Sequence, residues 1–503
     1  MMLRHLAALA AGAMLGWPGS AAAGVPTVED LPRRDKLTQG HITWHFDEPV
    51  PVGQFVNGDY YVVGPVRIVQ IGPAPVNPDT GEIENGSVLN LTAPSPSNRD
   101  RSSQAFHHKM RHFDKALTSL PPFDMHPGDM LVSSVGTERG VHQCLFGREG
   151  NKSWVLSYSI LTSLAEPVPA DTFRPGYCDH EMKLYRARDL QWWRLHDLEH
   201  VQDVPDIERW AGLFRQPWID VKGFCFGAAA EYQPQYARET ARAESFATLL
   251  LNLDFPRQQK EPLLINFVQY GIDLWSVVRS EPDFRAWRAN GGHGSGRKWA
   301  IVFAGMMLGD EAMASPSRTY PQFRFGMDMQ TKHGESWTGA DVVYAGHLGV
   351  YQGEPAGEMV QHLPYEHLQP RDWPIGEFQY PWSDRPRRQY TGELYRRGIN
   401  SGVWVGIALA GRIMHAQEQY AHDPFFDYVD RWMTEDDAPL RNEIMRQIDA
   451  DNTAHDFREE RFHGQHARDP FVQQMWQRYR DDLPPRRVPP EVQEQEERAE
   501  PSP

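Results

Sequence analysis

The hydrophobic period of this chain changes once, and that change constrains what the chain can fold into. From His41 to about Leu164 it reads as strand. His41-Ile42-Thr43-Trp44-His45-Phe46 alternates, and the run from Asp59 to Ile71 is rich in β-branched and aromatic residues. Asn57-Gly58 and Asn85-Gly86 supply turns, and Lys152 to Leu161 forms a closing strand. After the loop Glu166-Pro167-Val168-Pro169-Ala170-Asp171, apolar residues recur at helical steps. One stripe runs through Leu264, Phe267, Val268, Trp275 and Val278, a second through Val403, Ile407, Ala410, Ile413 and Met414, and a third through Ala241, Phe246, Leu249 and Leu250. Helices with one narrow apolar face must bury it on each other. The pattern therefore predicts a mainly α protein, with a β-rich region at 24–165 and a helical bundle or toroid at 166–482.

The two ends read differently from the body. Arg4 and His5 precede the apolar run Leu6 to Trp17, and Ala21-Ala22-Ala23 follows, which is the make-up of a secretory signal peptide over residues 1–23. Residues 483–503 are rich in Pro and Glu and read as a disordered acidic tail. From Asp481 onward seven acids and three bases leave a charge of −4, part of a net −16 for the chain. That balance argues against nucleic acid as a partner. No later apolar run is long enough to span a bilayer, so export to the periplasm or beyond the cell is expected. Cys144, Cys178 and Cys225 form no C-x-x-C pair and read as buried thiols.

The stretch Asn290-Gly291-Gly292-His293-Gly294-Ser295-Gly296-Arg297-Lys298 carries the densest chemistry. It sets an amide, an imidazole and two cations in a glycine frame that runs into the apolar segment Trp299 to Leu308. It lacks the spacing of a phosphate-binding loop, and no strand precedes it, so a nucleotide cradle does not fit. Asn290, Arg297 and backbone N–H groups suit a carboxylate, with His293 as a base at the acidic carbon beside it. A proton α to a carboxylate leaves only if the growing charge is stabilised, which calls for donors beside a base. The stretch from Ser315 to Arg397 is poor in helix signals and dense in Gly, Pro, His, Tyr and Trp, as functional loops are.

Together with Val268-Gln269-Tyr270-Gly271-Ile272-Asp273-Leu274, Tyr395-Arg396-Arg397 and Phe426-Asp427-Tyr428-Val429-Asp430-Arg431-Trp432-Met433, the glycine-framed run resembles exported bacterial proteins similar to α/α-toroid polysaccharide lyases. The resemblance spans about residues 41 to 480 and is nearest to enzymes acting on alginate or other polyuronates. It implies β-elimination on an acidic polysaccharide, without a cofactor. Asn, His or Arg would neutralise the uronate carboxylate, His or Tyr would take the C5 proton, and Tyr would protonate the leaving oxygen. Asn290, His293 and Arg297 suit the first roles, and Tyr344 is the first candidate for the tyrosine. Tyr365, His367, Arg396 and Arg397 are candidate substrate contacts.

Three rival readings are open. Asp273, Asp310, Asp328, Glu335 and Glu366 are available as the paired carboxylates of a glycoside hydrolase. His196-Asp197-Leu198-Glu199-His200 has the spacing of an inverted zinc peptidase, with Glu239 or Glu244 as the further ligand, provided that it is helical. A glycan-binding protein without catalysis would use the 16 tryptophans as sugar platforms.

Overall fold

The computed structural model describes residues 24–92, 104–110, 112–142, 146, 152–220, 228–282, 287–334, 340–346, 394–439, 441–442 and 458–490. The signal-peptide segment, Cys144, Cys225, Glu335, Tyr365, Glu366 and His367 lie outside these residues.

One eight-stranded sheet fills the N-terminal part. Its strands are β1 (Arg33–Gln39), β2 (Ile42–Gln54), β3 (Tyr60–Val63), β4 (Val66–Gly72), β5 (Ser87–Leu89), β6 (Phe123–Met125), β7 (Met130–His142) and β8 (Lys152–Leu164). The order is β5-β7-β8-β3-β2-β4-β6, with β1 added on β2. All pairs are antiparallel except β3 and β8, where Tyr60 to Val63 run parallel to Leu161 to Leu164. Strand β2 is shared between the two halves of the sheet: Thr43 to Phe46 pair with β4, and Val52 to Gln54 pair with β3. The register shifts at β1 between Arg34 and Lys36, opposite the stretch of β2 that carries Pro49. A bulge of this kind bends a strand and raises its twist, which suits a sheet curled into a half-barrel.

The two faces of β7 and β8 divide the core. Leu131 and Leu161 sit opposite each other and pack inside the curl with Trp44, Ile68 and Met125. Their neighbours Val132 and Ile160, also paired, face the other way with Val155 and Tyr158 and join the core of the helices. Alternation of side chains along a strand makes this two-sided burial possible.

The longer helices are α1 (Ile207–Arg215), α2 (Ala237–Leu251), α3 (Arg257–Ser280), α4 (Lys298–Leu308), α5 (Ser401–Ile413), α6 (Asp423–Thr434) and α7 (Pro470–Tyr479). Each of the three apolar stripes falls on one of them. Helix α4 buries every residue from Lys298 to Met307, so it is a central rod with no solvent face. It packs closely on α3 at Gly271, where a methyl group would come within 2.4 Å of the Ala300 carbonyl oxygen and of the Ala304 side chain.

The expected mainly α toroid is overturned. The chain is 39% helix and 20% strand, a mixed α/β fold. The periodicity located the helices but carried no information on what they would pack against. The outer face of the sheet takes part in their core, so the helices bury themselves on strands as well as on one another. No helix among the described residues is long and apolar enough to cross a membrane.

A tyrosine-flanked glycine loop as candidate active site

The loop from Asn290 to Arg297 joins the end of the α3 region to α4, and its glycines are places where other parts of the chain touch its backbone. Gly294 lies against Gly326, so that a methyl group on either would strike the other's backbone within 2.8 Å. At Gly291 a methyl group would meet the ring of Tyr395 at 2.3 Å, and at Gly292 it would meet the hydroxyl of Tyr236 at 2.7 Å. The loop is thus flanked by two tyrosines, from the start of α2 and from the segment before α5. The Tyr236 hydroxyl accepts from the Gly292 N–H at 3.0 Å. Its ring meets His293 edge-on, with centroids 4.7 Å apart.

His293 is half-buried and its backbone N–H donates to the Asn290 carbonyl at 3.0 Å, closing a turn. Burial, reinforced by the nearby Arg297 cation, lowers its imidazole to about 4. It is therefore uncharged at neutral pH and able to accept a proton. Burial raises the Tyr236 phenol above its usual range, so that hydroxyl keeps its proton. Asn290 and Tyr395 are likewise half-buried, the first within the loop and the second against its Gly291.

The remaining residues of the run point inward. Arg297 has φ 70, unusual for a residue with a Cβ, and is fully buried. Its Nε donates to Asp220 at 2.5 Å, its backbone N–H to Glu244 at 2.6 Å and its Nη1 to the His293 carbonyl at 2.8 Å. Burial pushes the Glu244 carboxyl up to about 8 despite that N–H and the Arg297 charge, so at neutral pH the group holds one cation against one anion. Arg297 thus braces the loop from below instead of facing a substrate carboxylate. Lys298 is buried as well, paired with Asp328 and placed 4.0 Å from the Tyr420 ring centroid.

Tyr344 is also part of the brace. It is fully buried, and its hydroxyl takes hydrogen bonds from Asn400 at 2.8 Å and Gln330 at 3.2 Å. The same two amides also donate to the Gly291 carbonyl, at 3.2 and 2.9 Å. Sequence reading joined Tyr344 to the glycine loop, and the structure does bring them together, but through the loop's inner side. Arg396 and Arg397 are neither open nor solvated. Arg396 donates to the Tyr428 hydroxyl at 3.0 Å, and Arg397 pairs with Asp437 in the interior.

The rival constellations come apart. Residues 196 to 200 form no helix. His196 is buried, His200 is exposed and bonded to the Asp254 carbonyl, and Glu199 pairs with Arg478 on the surface. Glu239 is paired with Arg238 and Arg242, while Glu244 holds the glycine loop. No group of three metal-ligating side chains occurs among the described residues. The carboxylates considered for hydrolysis are separately engaged: Asp273 with Arg174, Asp310 with Lys183 and Tyr185, Asp328 with Lys298. Cys178 is buried, as expected.

Sequence reasoning passed over Tyr236. The signal for it, the dipeptide pair Gln235-Tyr236 just before a helix that carries Arg238 and Arg242, does not stand out by spacing, because its partner loop lies more than fifty residues away. Compared with known proteins, the chain matches no family model, no curated protein and no solved structure.

Proposed function

We propose that this protein is an exported polysaccharide lyase that cleaves a uronate-containing polymer of the alginate or glucuronan type by β-elimination. The observation that carries the reading is the Tyr236–His293 pair: an imidazole held neutral beside a phenol held protonated, at a glycine loop that leaves both partly open. A base and an acid fixed side by side are what a proton-out, proton-in reaction on one sugar pair requires.

In this mechanism His293 removes the C5 proton, the electrons of that C–H bond form the C4–C5 double bond, and the C4–O bond breaks. The departing oxygen takes the proton of Tyr236. Asn290 faces the uronate carboxylate and stabilises the charge that grows on it. Tyr395 supplies the opposite wall, where its ring suits a sugar face. Arg297 acts through the loop it braces.

The test is incubation of the full chain with a panel of polyuronates while following the ultraviolet absorbance of the unsaturated product. His293→Ala should reduce that rate by about 10²–10⁴, the usual yield of a positioned general base. Its thermal transition should move little, because the side chain is only half-buried. Flat absorbance across the panel overturns the lyase reading. Reducing ends released without that absorbance would move the assignment to hydrolysis.

A further inference from the structure

Beside Tyr236, α2 brings two guanidiniums together, and a third reaches them from the start of α7. Arg238 lies over the Tyr236 ring at 5.3 Å and donates to Glu239. Arg242, one turn on, holds Glu239 and Asp469 together, with its Nε 2.9 Å from the latter, and covers the Phe146 ring at 3.9 Å. Arg468 comes in from the start of α7. It is exposed, its Nη1 reaches the Gly398 carbonyl at 3.4 Å, and the next residue, Ile399, abuts Gly292 of the loop. Among the described residues three cations meet two carboxylates here, which leaves one positive charge over. Arg468 forms no ion pair with an acid among the described residues.

Like charge crowds this spot. Arg468 is exposed as a residue, but partial screening of its guanidinium from water, and then the closeness of Arg238 and Arg242, lowers it from its ordinary value. A protein whose formal charge is −16 has nevertheless gathered these cations beside its tyrosine-flanked loop. A local cationic site acts over about a Debye length of 8 Å whatever the net charge. The guanidiniums of Arg238 and Arg242 are fixed by carboxylates, and the planar fork of Arg468 is left to take an anion in two-point fashion.

We infer that Arg238, Arg242 and Arg468 form an anion subsite next to the Tyr236–His293 patch, which takes the acidic group of the sugar flanking the one that reacts. The group is a carboxylate or a sulfate ester carried on a glycan. The inference rests on the lyase reading only for which sugar is adjacent, and the subsite can be tested without turnover.

The experiment uses the full chain with His293→Ala, so that bound glycan stays intact, and compares it with the same chain carrying Arg468→Gln or Arg468→Lys. Binding of a hexameric oligomannuronate is measured by calorimetry at low salt, with dextran sulfate, maltohexaose and sodium sulfate in parallel. Arg468→Gln should weaken the oligouronate by about tenfold to a hundredfold, the range for losing hydrogen bonds to a charged group. Arg468→Lys should restore part of the loss, and added salt should weaken the parent more than the Gln variant. Maltohexaose should respond to neither change. Tighter, Arg468-dependent binding of dextran sulfate would identify a sulfate ester as the source of the anion. Undiminished oligouronate binding by Arg468→Gln overturns the subsite, as does equal affinity for maltohexaose. If Arg468-dependent binding is present but the unmutated chain turns over no polyuronate, the lyase reading fails and the subsite stands.

Discussion

Arginine serves two ends in this molecule, and the contrast lies in what surrounds each side chain. Arg174, Arg297 and Arg397 are buried, and each is neutralised by interior acids: Arg174 by Asp59 and Asp273, Arg297 by Asp220, Arg397 by Asp437. Arg238, Arg242 and Arg468 stand beside the glycine loop, more cations than acids among the described residues. The first set ties elements together. Arg174, for instance, links Asp59 on the turn after β2 to Asp273 on α3, so the sheet and the helices are joined by a charge pair at their boundary. The second set has charge left for a ligand. A buried ion pair repays the loss of hydration only while both partners are present, whereas an exposed cation such as Arg468 keeps much of its water.

That difference can be broken at Arg297, where the largest effect is expected. Arg297→Ala leaves Asp220 charged in the interior and frees a turn with positive φ. A loss of about 3–5 kcal/mol is expected, as for breaking one side of a buried pair, read from denaturant melts. Arg468→Gln, by the same measurement, should change stability by less than about 0.5 kcal/mol, as surface substitutions do. Equal losses at the two positions would refute the division into brace and subsite.

Tyr344→Phe sharpens the same comparison at smaller scale. Removing a hydroxyl that receives Asn400 and Gln330 leaves buried amide donors short of a partner, at a cost of about 1–3 kcal/mol. Tyr236→Phe removes a hydroxyl at the open patch, so it should lower turnover without a comparable loss of stability. A Tyr344→Phe chain of full stability and low turnover would instead return the acid's role to Tyr344.

Much of this was legible in the order of residues, and what was not follows from physics that order does not encode. Alternation located β2 and β8, and the helical stripes located α2, α3 and α5, because both patterns are local. The arrangement of those elements was misjudged, since an apolar stripe does not say whether a helix or the outer face of a sheet will cover it. The same limit governed the site. Asn290 and His293 drew notice through their glycine frame, which is a local pattern. Arg297 and Arg397 were read as ligand cations because their partners, Asp220 and Asp437, are distant in sequence and become neighbours only on folding. A lone arginine in a motif therefore states a charge but not a direction.

The smallest effect is on the shape of stability against pH, and it separates the two sides of the loop. Glu244, beneath the loop with Arg297, Asp220 and Tyr270 around it, has a folded carboxyl raised to about 8 by burial. The unfolded chain releases that proton near the ordinary carboxyl value and the folded chain holds it, so stability is lost as pH rises from about 4.5 to about 8. Asp273 acts in the same direction, but its folded value of about 6 ends its share there, which leaves Glu244 to set the limb above. His293, lowered to about 4, works the other way: the unfolded chain gains a proton first, and stability is lost as pH falls from about 6.5 towards 4. His107 and His196, both lowered to about 4 by burial, add to that acid limb. Glu244→Gln keeps an oxygen for the Arg297 N–H and removes the titration. The fall in melting temperature between pH 6 and 8 should therefore flatten in that variant while the acid limb stays. An unchanged alkaline slope would mean that Glu244 is already ionised beneath the loop, and the brace would then hold two anions against the single Arg297 cation.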